Sequence, residues 1–151
     1  MWSFETEPEF QEKLDWTARF VDEQLIPLEP VMGDFTEAQW QRVQAPLKEQ
    51  VRAQGLWACH LGPELGGEGY GQVKLGLMNE ILGRSRFGPS VFGCQAPDAG
   101  NAELLVAHGT PAQRERFLEP LAAGEIRSCF LMTEPEFAGS NPTEMGTTAV
   151  L

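Results

Sequence analysis

The sequence predicts a mainly α fold, in which an N-terminal helical domain over residues 1–124 runs into the first strand or strands of a β domain, residues 125–151, that the chain does not close. Three observations predict it. Apolar residues recur at three- and four-residue steps through most of the first 124 positions, the spacing that lines one side of an α-helix. Clusters of glycine and proline punctuate those runs. Past Gly124 the texture changes to short apolar stretches bounded by turn residues, which read as strands.

Taken in order, Phe10, Leu14, Ala18, Val21 and Leu25 share one helical face. Pro8 suits a first turn, where Glu7 and Glu9 meet the positive end of the helix dipole. Pro27 and Pro30 bracket an extended exit. Thr36 and Gln39 have the spacing of a capping box and open a second segment. Pro46 is expected to interrupt it, with a regular part resuming at Leu47 and Val51 and stopping at Gly55. Leu56 to Gly71 is a loop. Its Gly66-Gly67-Glu68-Gly69-Tyr70-Gly71 run invites a phosphate-binding reading, but it lacks GxGxxG or GxxxxGK[ST] spacing and no clear strand leads into it, so the glycines read as turns.

Val73, Leu77 and Ile81 place a third helix over 72–84. A small-residue segment follows from Ser90 to Gly100, then a helix around 101–107 closed by Gly109. Thr110-Pro111-Ala112-Gln113 combines an N-cap, a proline at the first position and a glutamine three residues after the cap. Phe117 and Leu121 face inward from that helix, and Gly124 ends it. Ser128-Cys129-Phe130-Leu131-Met132 reads as a buried strand stopped by Thr133-Glu134-Pro135, and Thr147–Leu151 as the opening of another.

Bulk properties contribute exclusions. With 11 basic against 22 acidic residues the net charge is −11, which opposes the counterion displacement that nucleic-acid binding requires. Three scattered cysteines (Cys59, Cys94, Cys129) outline neither a disulfide framework nor a CxxC metal pair. The acidic start resembles neither a signal peptide nor a transit sequence, and no apolar run approaches the roughly 20 residues of a membrane span. A cytoplasmic setting is the expectation. His60 and His108 stand without paired acids or nucleophiles, and no metal ligands are assigned.

Most information lies in Phe130-Leu131-Met132-Thr133-Glu134-Pro135-Glu136-Phe137-Ala138-Gly139-Ser140-Asn141. From the residues alone it is a strand end that presents a threonine, a proline that blocks continuation, and a small-residue turn. Gly139 permits close backbone approach, and Ser140 offers a hydroxyl suited to a phosphate oxygen. A plain strand-to-loop transition accounts for the same spacing. The T-E-P-x-x-A-[GS]-S-[ND] order, however, resembles the flavin-binding signature of the acyl-CoA dehydrogenases. Similar upstream pieces occur in the family's order: Gly55-Leu56-Trp57, Gly66-Gly67, Ala96-Pro97-Asp98-Ala99-Gly100-Asn101, and Gly109-Thr110-Pro111-Ala112-Gln113 with Phe117-Leu118. The extra residue between Glu-Pro and Ala-Gly-Ser is similar to the branch of human family members ten and eleven.

The resemblance implies an N-terminal helical domain of the acyl-CoA dehydrogenase type and the start of its middle β domain. It implies FAD as cofactor and α,β-dehydrogenation of an acyl-CoA substrate, with hydride passing to flavin N5. By this carry-over, Thr133 bonds to the isoalloxazine edge near N5, and Phe130 and Met132 lie along the ring. Gly139 and Ser140 lie near the pyrophosphate, and Ser140 also touches the thioester ligand. Asn141 stands where many relatives carry Asp. Residues 96–101 would sit by the acyl chain. The family's catalytic Glu belongs to a C-terminal domain that this chain lacks, so no residue here is assigned as catalytic, and Glu134 is not its substitute. The implied partners are the remainder of the enzyme, a homo-oligomer of the full-length form and an electron-transfer protein. Two other readings remain open: a stand-alone helical interaction module derived from the family, and a flavin-binding electron carrier. The strand-like break at Thr147–Leu151 favours a fragment that is inactive alone.

Overall fold

The computed structural model describes residues 5–137, 139 and 141–150. Its order is α1 (Pro8–Phe20), α2 (Glu37–Ala53), α3 (Gly71–Leu82), α4 (Gly88–Val91), α5 (Asp98–His108), α6 (Pro111–Gln113) and α7 (Glu119–Ala123). Wider π turns continue α1 over Val21–Leu25 and join α6 to α7 over Arg114–Leu118. The mainly α class stands. The two capping boxes form as the sequence predicts. Thr36 Oγ1 accepts from the Gln39 amide while Gln39 Oε1 accepts from the Thr36 amide at 2.8 Å. Thr110 and Gln113 repeat the arrangement.

α1 buries Phe10, Leu14, Thr17 and Phe20, and its π turn adds Val21 and Leu25. Thr17 is tolerated inside because its hydroxyl donates to the Lys13 carbonyl at 2.8 Å, which satisfies the group within the helix. The exit is two short 3-10 turns, Ile26–Leu28 and Met32–Asp34, and not the extended segment expected from Pro27 and Pro30.

α2 runs unbroken through Pro46, contrary to the predicted interruption. The missing N–H and the ring clash cost about 3 kcal/mol. Leu47 and Val51 are 6% and 0% exposed on the same helix, and burying two such side chains returns about 3–6 kcal/mol. Packing therefore outweighs the local penalty.

α3 buries Leu75, Met78, Ile81 and Leu82. Val73, part of the apolar spacing that marks this helix, is 80% exposed. Both stripes have helical spacing, and the observed one is turned by roughly 100° because it faces α1. One inward expectation is corrected after α6. Phe117 is 42% exposed, whereas Leu118, Leu121 and Ala122 are buried. The π turn adds a residue to its turn and shifts the phase, so Leu118 takes the inward position.

Trp57 fastens the end of the unit. Its indole N–H donates to the Ala122 carbonyl at 2.8 Å, and the Arg52 guanidinium lies 3.7 Å from the ring centroid. Arg52 also donates to the Ala123 carbonyl at 2.6 Å, so the C-terminal carbonyls of α7 are satisfied from the end of α2 and the loop after it. A Cβ at Gly93 or Gly124 would lie 2.7 Å from the Trp57 ring; these glycines let the backbone meet the indole. Gly67 plays the packing role that the turn reading requires, since a Cβ there would strike the Leu61 carbonyl oxygen at 2.1 Å. Trp16, Phe20 and Phe92 complete the aromatic core, with Trp16 and Phe20 stacked at 4.8 Å.

Beyond Gly124 the strand expectations are not met. Among the described residues the only β pairing is an isolated bridge between Glu134 and Phe137. Ser128–Met132 forms neither helix nor ladder, and Phe130, Leu131 and Met132 are 63%, 94% and 45% exposed. A strand needs neighbours to satisfy its backbone, and this segment has none within the described chain.

Candidate functional site

Of the predicted cofactor residues, Phe130, Met132 and Thr133 lie exposed along a segment rooted on α5, and Gly139 returns buried against it. The root is Asp98, the first residue of that helix and 9% exposed. Its carboxylate accepts from the Ser128 amide at 2.8 Å, the Ser128 hydroxyl at 2.7 Å, the Gln95 amide group at 2.6 Å and Arg127 Nε at 2.8 Å. Burial raises its pKa, but the Ser128, Gln95 and Arg127 interactions together hold it below the ordinary carboxylate value. Asn101, one turn along, donates to Ser128 Oγ at 2.8 Å.

From that root the chain passes to Phe130, whose ring end comes within 3.9 Å of where a Gly100 Cβ would stand. Thr133 follows, exposed, with no hydrogen bond among the described residues. Gly139 returns against it in the left-handed region, φ +79, and a Cβ on Gly139 would sit 3.8 Å from Thr133 Oγ1. The structure thus brings Thr133 and Gly139 together and leaves Phe130 and Met132 open beside them. Ser140 lies outside the described residues.

Glu134 is engaged elsewhere. Its carboxylate accepts from the Gly146 amide at 2.9 Å, the Thr147 amide at 2.7 Å and the Thr147 hydroxyl. Those hydrogen bonds, led by the Thr147 hydroxyl, lower its pKa. A carboxylate so occupied is a poor general base.

His60 and the thiols occupy a separate cavity of about 230 Å³, lined also by Gln72, Asn79 and Glu103. Both imidazole nitrogens are buried without a hydrogen-bond partner among the described residues, and burial pushes the His60 pKa down. Burial likewise raises the Cys59 and Cys94 thiols to about 11 and about 12, which keeps them protonated and unreactive. Among the described residues no group of three or more His, Cys, Asp or Glu side chains could hold a metal ion. No helix among them is long and apolar enough to cross a membrane.

The Asp98 anchor escaped the sequence reading. An acidic residue in a first helical turn is a legible signal, but its partners 29 and 30 positions later are not.

A model of the acyl-CoA dehydrogenase N-terminal domain matches residues 7–125. The chain belongs to the acyl-CoA dehydrogenase family. It is 39% identical over 143 residues to acyl-CoA dehydrogenase family member 11 of Gallus gallus, a match covering 89% of this chain and 18% of that protein. It is 35% identical over 147 residues to family member 10 of Mus musculus, covering 91% of this chain and 14% of that one. A solved structure from Mycobacterium abscessus, named provisionally as an acyl-CoA dehydrogenase, superposes with a TM-score of 0.82 at 37% identity, over 98% of this chain and 40% of that one. The chain therefore spans less than half the length of each of these three proteins.

Proposed function

We propose that this chain is the N-terminal part of an FAD-dependent acyl-CoA dehydrogenase and is inactive by itself. The observation that carries the reading is the pairing of a family-wide match over the helical unit with an exposed Phe130–Thr133 stretch soon after it. The division is a helical domain, 1–124, and the beginning of a β domain, 125–151.

The residues present fit one edge of a planar aromatic cofactor. Phe130 and Met132 offer exposed apolar surface, Thr133 an exposed hydroxyl without a partner among the described residues, and Gly139 a turn without side-chain bulk beside it. Phe130, Met132, Thr133, Gly139 and Ser140 would hold the flavin, with Ser140 also meeting the thioester. Bound there, FAD would supply the acceptor for the hydride that leaves the acyl β-carbon. Thr133 would donate a hydrogen bond that stabilises negative charge gathering on the ring edge. The base for the α proton would come from outside these residues, since Glu134 is tied to Gly146 and Thr147. An acyl-CoA substrate, a homo-oligomer and an electron-transfer partner belong to the same proposal.

The test is a comparison of two preparations. The 151-residue chain should be colourless after purification in the presence of FAD. A longer protein that continues this frame beyond Leu151 should be yellow and should bleach anaerobically on addition of an acyl-CoA. A yellow, acyl-CoA-bleachable 151-residue chain would overturn the inactive-part reading, and a colourless longer protein would overturn the flavin reading.

A further inference from the structure

The resemblance places residues 96–101 beside an acyl chain, yet the structure turns Asp98 away from open surface and into the root of the Phe130–Gly139 segment. One carboxylate there receives four donors from two stretches of chain about 30 positions apart. Ser128 is held at both ends: its hydroxyl donates to Asp98 and accepts from Asn101. The anchored backbone lies two residues before Phe130 and five before Thr133. Gly100, between the two anchoring side chains in sequence, leaves the space that the Phe130 ring approaches. The N-terminal turn of α5 therefore sets both where this segment leaves the helical unit and where its first aromatic ring rests.

We propose that Asp98 is a positioning residue for the flavin edge: its grip on Arg127 and Ser128 fixes the placement of Phe130 and Thr133 toward the cofactor. The inference rests on the flavin reading above. A carboxylate suits the task better than its neutral isostere. Asp is acceptor-only and can take all four donors, whereas an asparagine amide would still receive both Ser128 bonds on its oxygen but would turn N–H groups toward Arg127. Arg127 is 65% exposed in its side chain, so that ion pair contributes little by itself. The Ser128 bonds, charge-assisted and shielded, are the effective part of the anchor.

Those differences order the variants. Asp98→Ala removes all four bonds to the carboxylate and leaves only the one from Asn101 to Ser128 Oγ, Asp98→Asn keeps the two from Ser128, and Ser128→Ala keeps the amide bond with those from Gln95 and Arg127. In the 151-residue chain, hydrogen exchange at the Ser128 amide should quicken by about 10- to 100-fold in Asp98→Ala and much less in Asp98→Asn. Amides of α1 to α3 should be unchanged, which separates local release from unfolding. In the longer, flavin-loaded protein, Asp98→Ala should shift the flavin's visible absorption bands and lower kcat about tenfold or more with KM little changed, and Asp98→Asn should recover most of both. Ser128 exchange equal to wild type in Asp98→Ala would overturn the anchor. A wild-type spectrum and kcat in a flavin-loaded Asp98→Ala protein would overturn the positioning role while leaving the flavin reading intact. A wild-type longer protein without flavin would overturn both, and is distinguished by its lack of colour.

Discussion

Trp57 and Phe130 are both large aromatic side chains lying against glycine, and they end in opposite surroundings. Trp57 is 7% exposed, pressed between Gly93, Gly124 and the Arg52 guanidinium, with its N–H satisfied by Ala122. Phe130 is 63% exposed, and Leu131 and Met132 beside it are open as well. The helical unit is closed by burial of its own apolar residues. The segment after Gly124 is held by polar bonds at its root and keeps its apolar side chains on the surface. That contrast separates apolar residues that close the core from apolar residues left at the surface.

The contrast makes its largest prediction at those two aromatics. Trp57→Ala should lose about 3–5 kcal/mol of unfolding free energy, whereas Phe130→Ala should stay within about 0.5 kcal/mol of wild type. Urea titration of the purified chain measures both, and comparable losses would erase the distinction between the two regions.

A finer version concerns adjacent positions on one helix. Leu118→Ala should cost about 2–5 kcal/mol, because Leu118 is 2% exposed in the core. Phe117→Ala should cost under about 1 kcal/mol, since its ring lies largely at the surface beneath Arg116. A larger loss at Phe117 than at Leu118 would mean that the π turn does not set the phase of this helix.

The smallest effect is one of pH. Burial holds the His60 imidazole below its ordinary pKa, partly offset by Glu103 across the same cavity. The unfolded chain then binds this proton more readily than the folded one. Stability is unaffected well above pH about 6.5, falls as pH drops through that value, and levels off below the folded pKa. His60→Leu should flatten this limb in chemical denaturation curves taken between neutral and mildly acidic pH. An unchanged slope would assign the limb to other groups.

Local chemistry made several features legible from the residues. Thr36 with Gln39, and Thr110 with Pro111 and Gln113, mark helix starts because the partners that satisfy the free amides lie within four positions. Gly55 and Gly124 mark helix ends because a positive φ is nearly reserved for glycine. The run from Thr133 to Asn141 marked the family for a different reason: it is a dense set of residue types in fixed order, and the match over 7–125 agrees with it.

Helix faces were less legible. Val73 and Phe117 each belong to a stripe with valid helical spacing, and a neighbouring stripe was equally valid. Which one turns inward depends on α1 packing against α3, and on the π turn before α7. Pro46 illustrates the same limit in energy: a penalty of about 3 kcal/mol is visible locally, and the burial that outweighs it is not.

Residues 1–124 therefore carry their helical character, their punctuation and their family in short-range pattern, where every partner is a few positions away. The predicted strand at Ser128–Met132 and the Asp98 anchor were settled by tertiary structure. A strand exists when another strand accepts its backbone, and a carboxylate becomes an anchor when donors arrive from 29 and 30 residues along the chain. Both depend on groups brought together by folding, and linear spacing does not encode that distance.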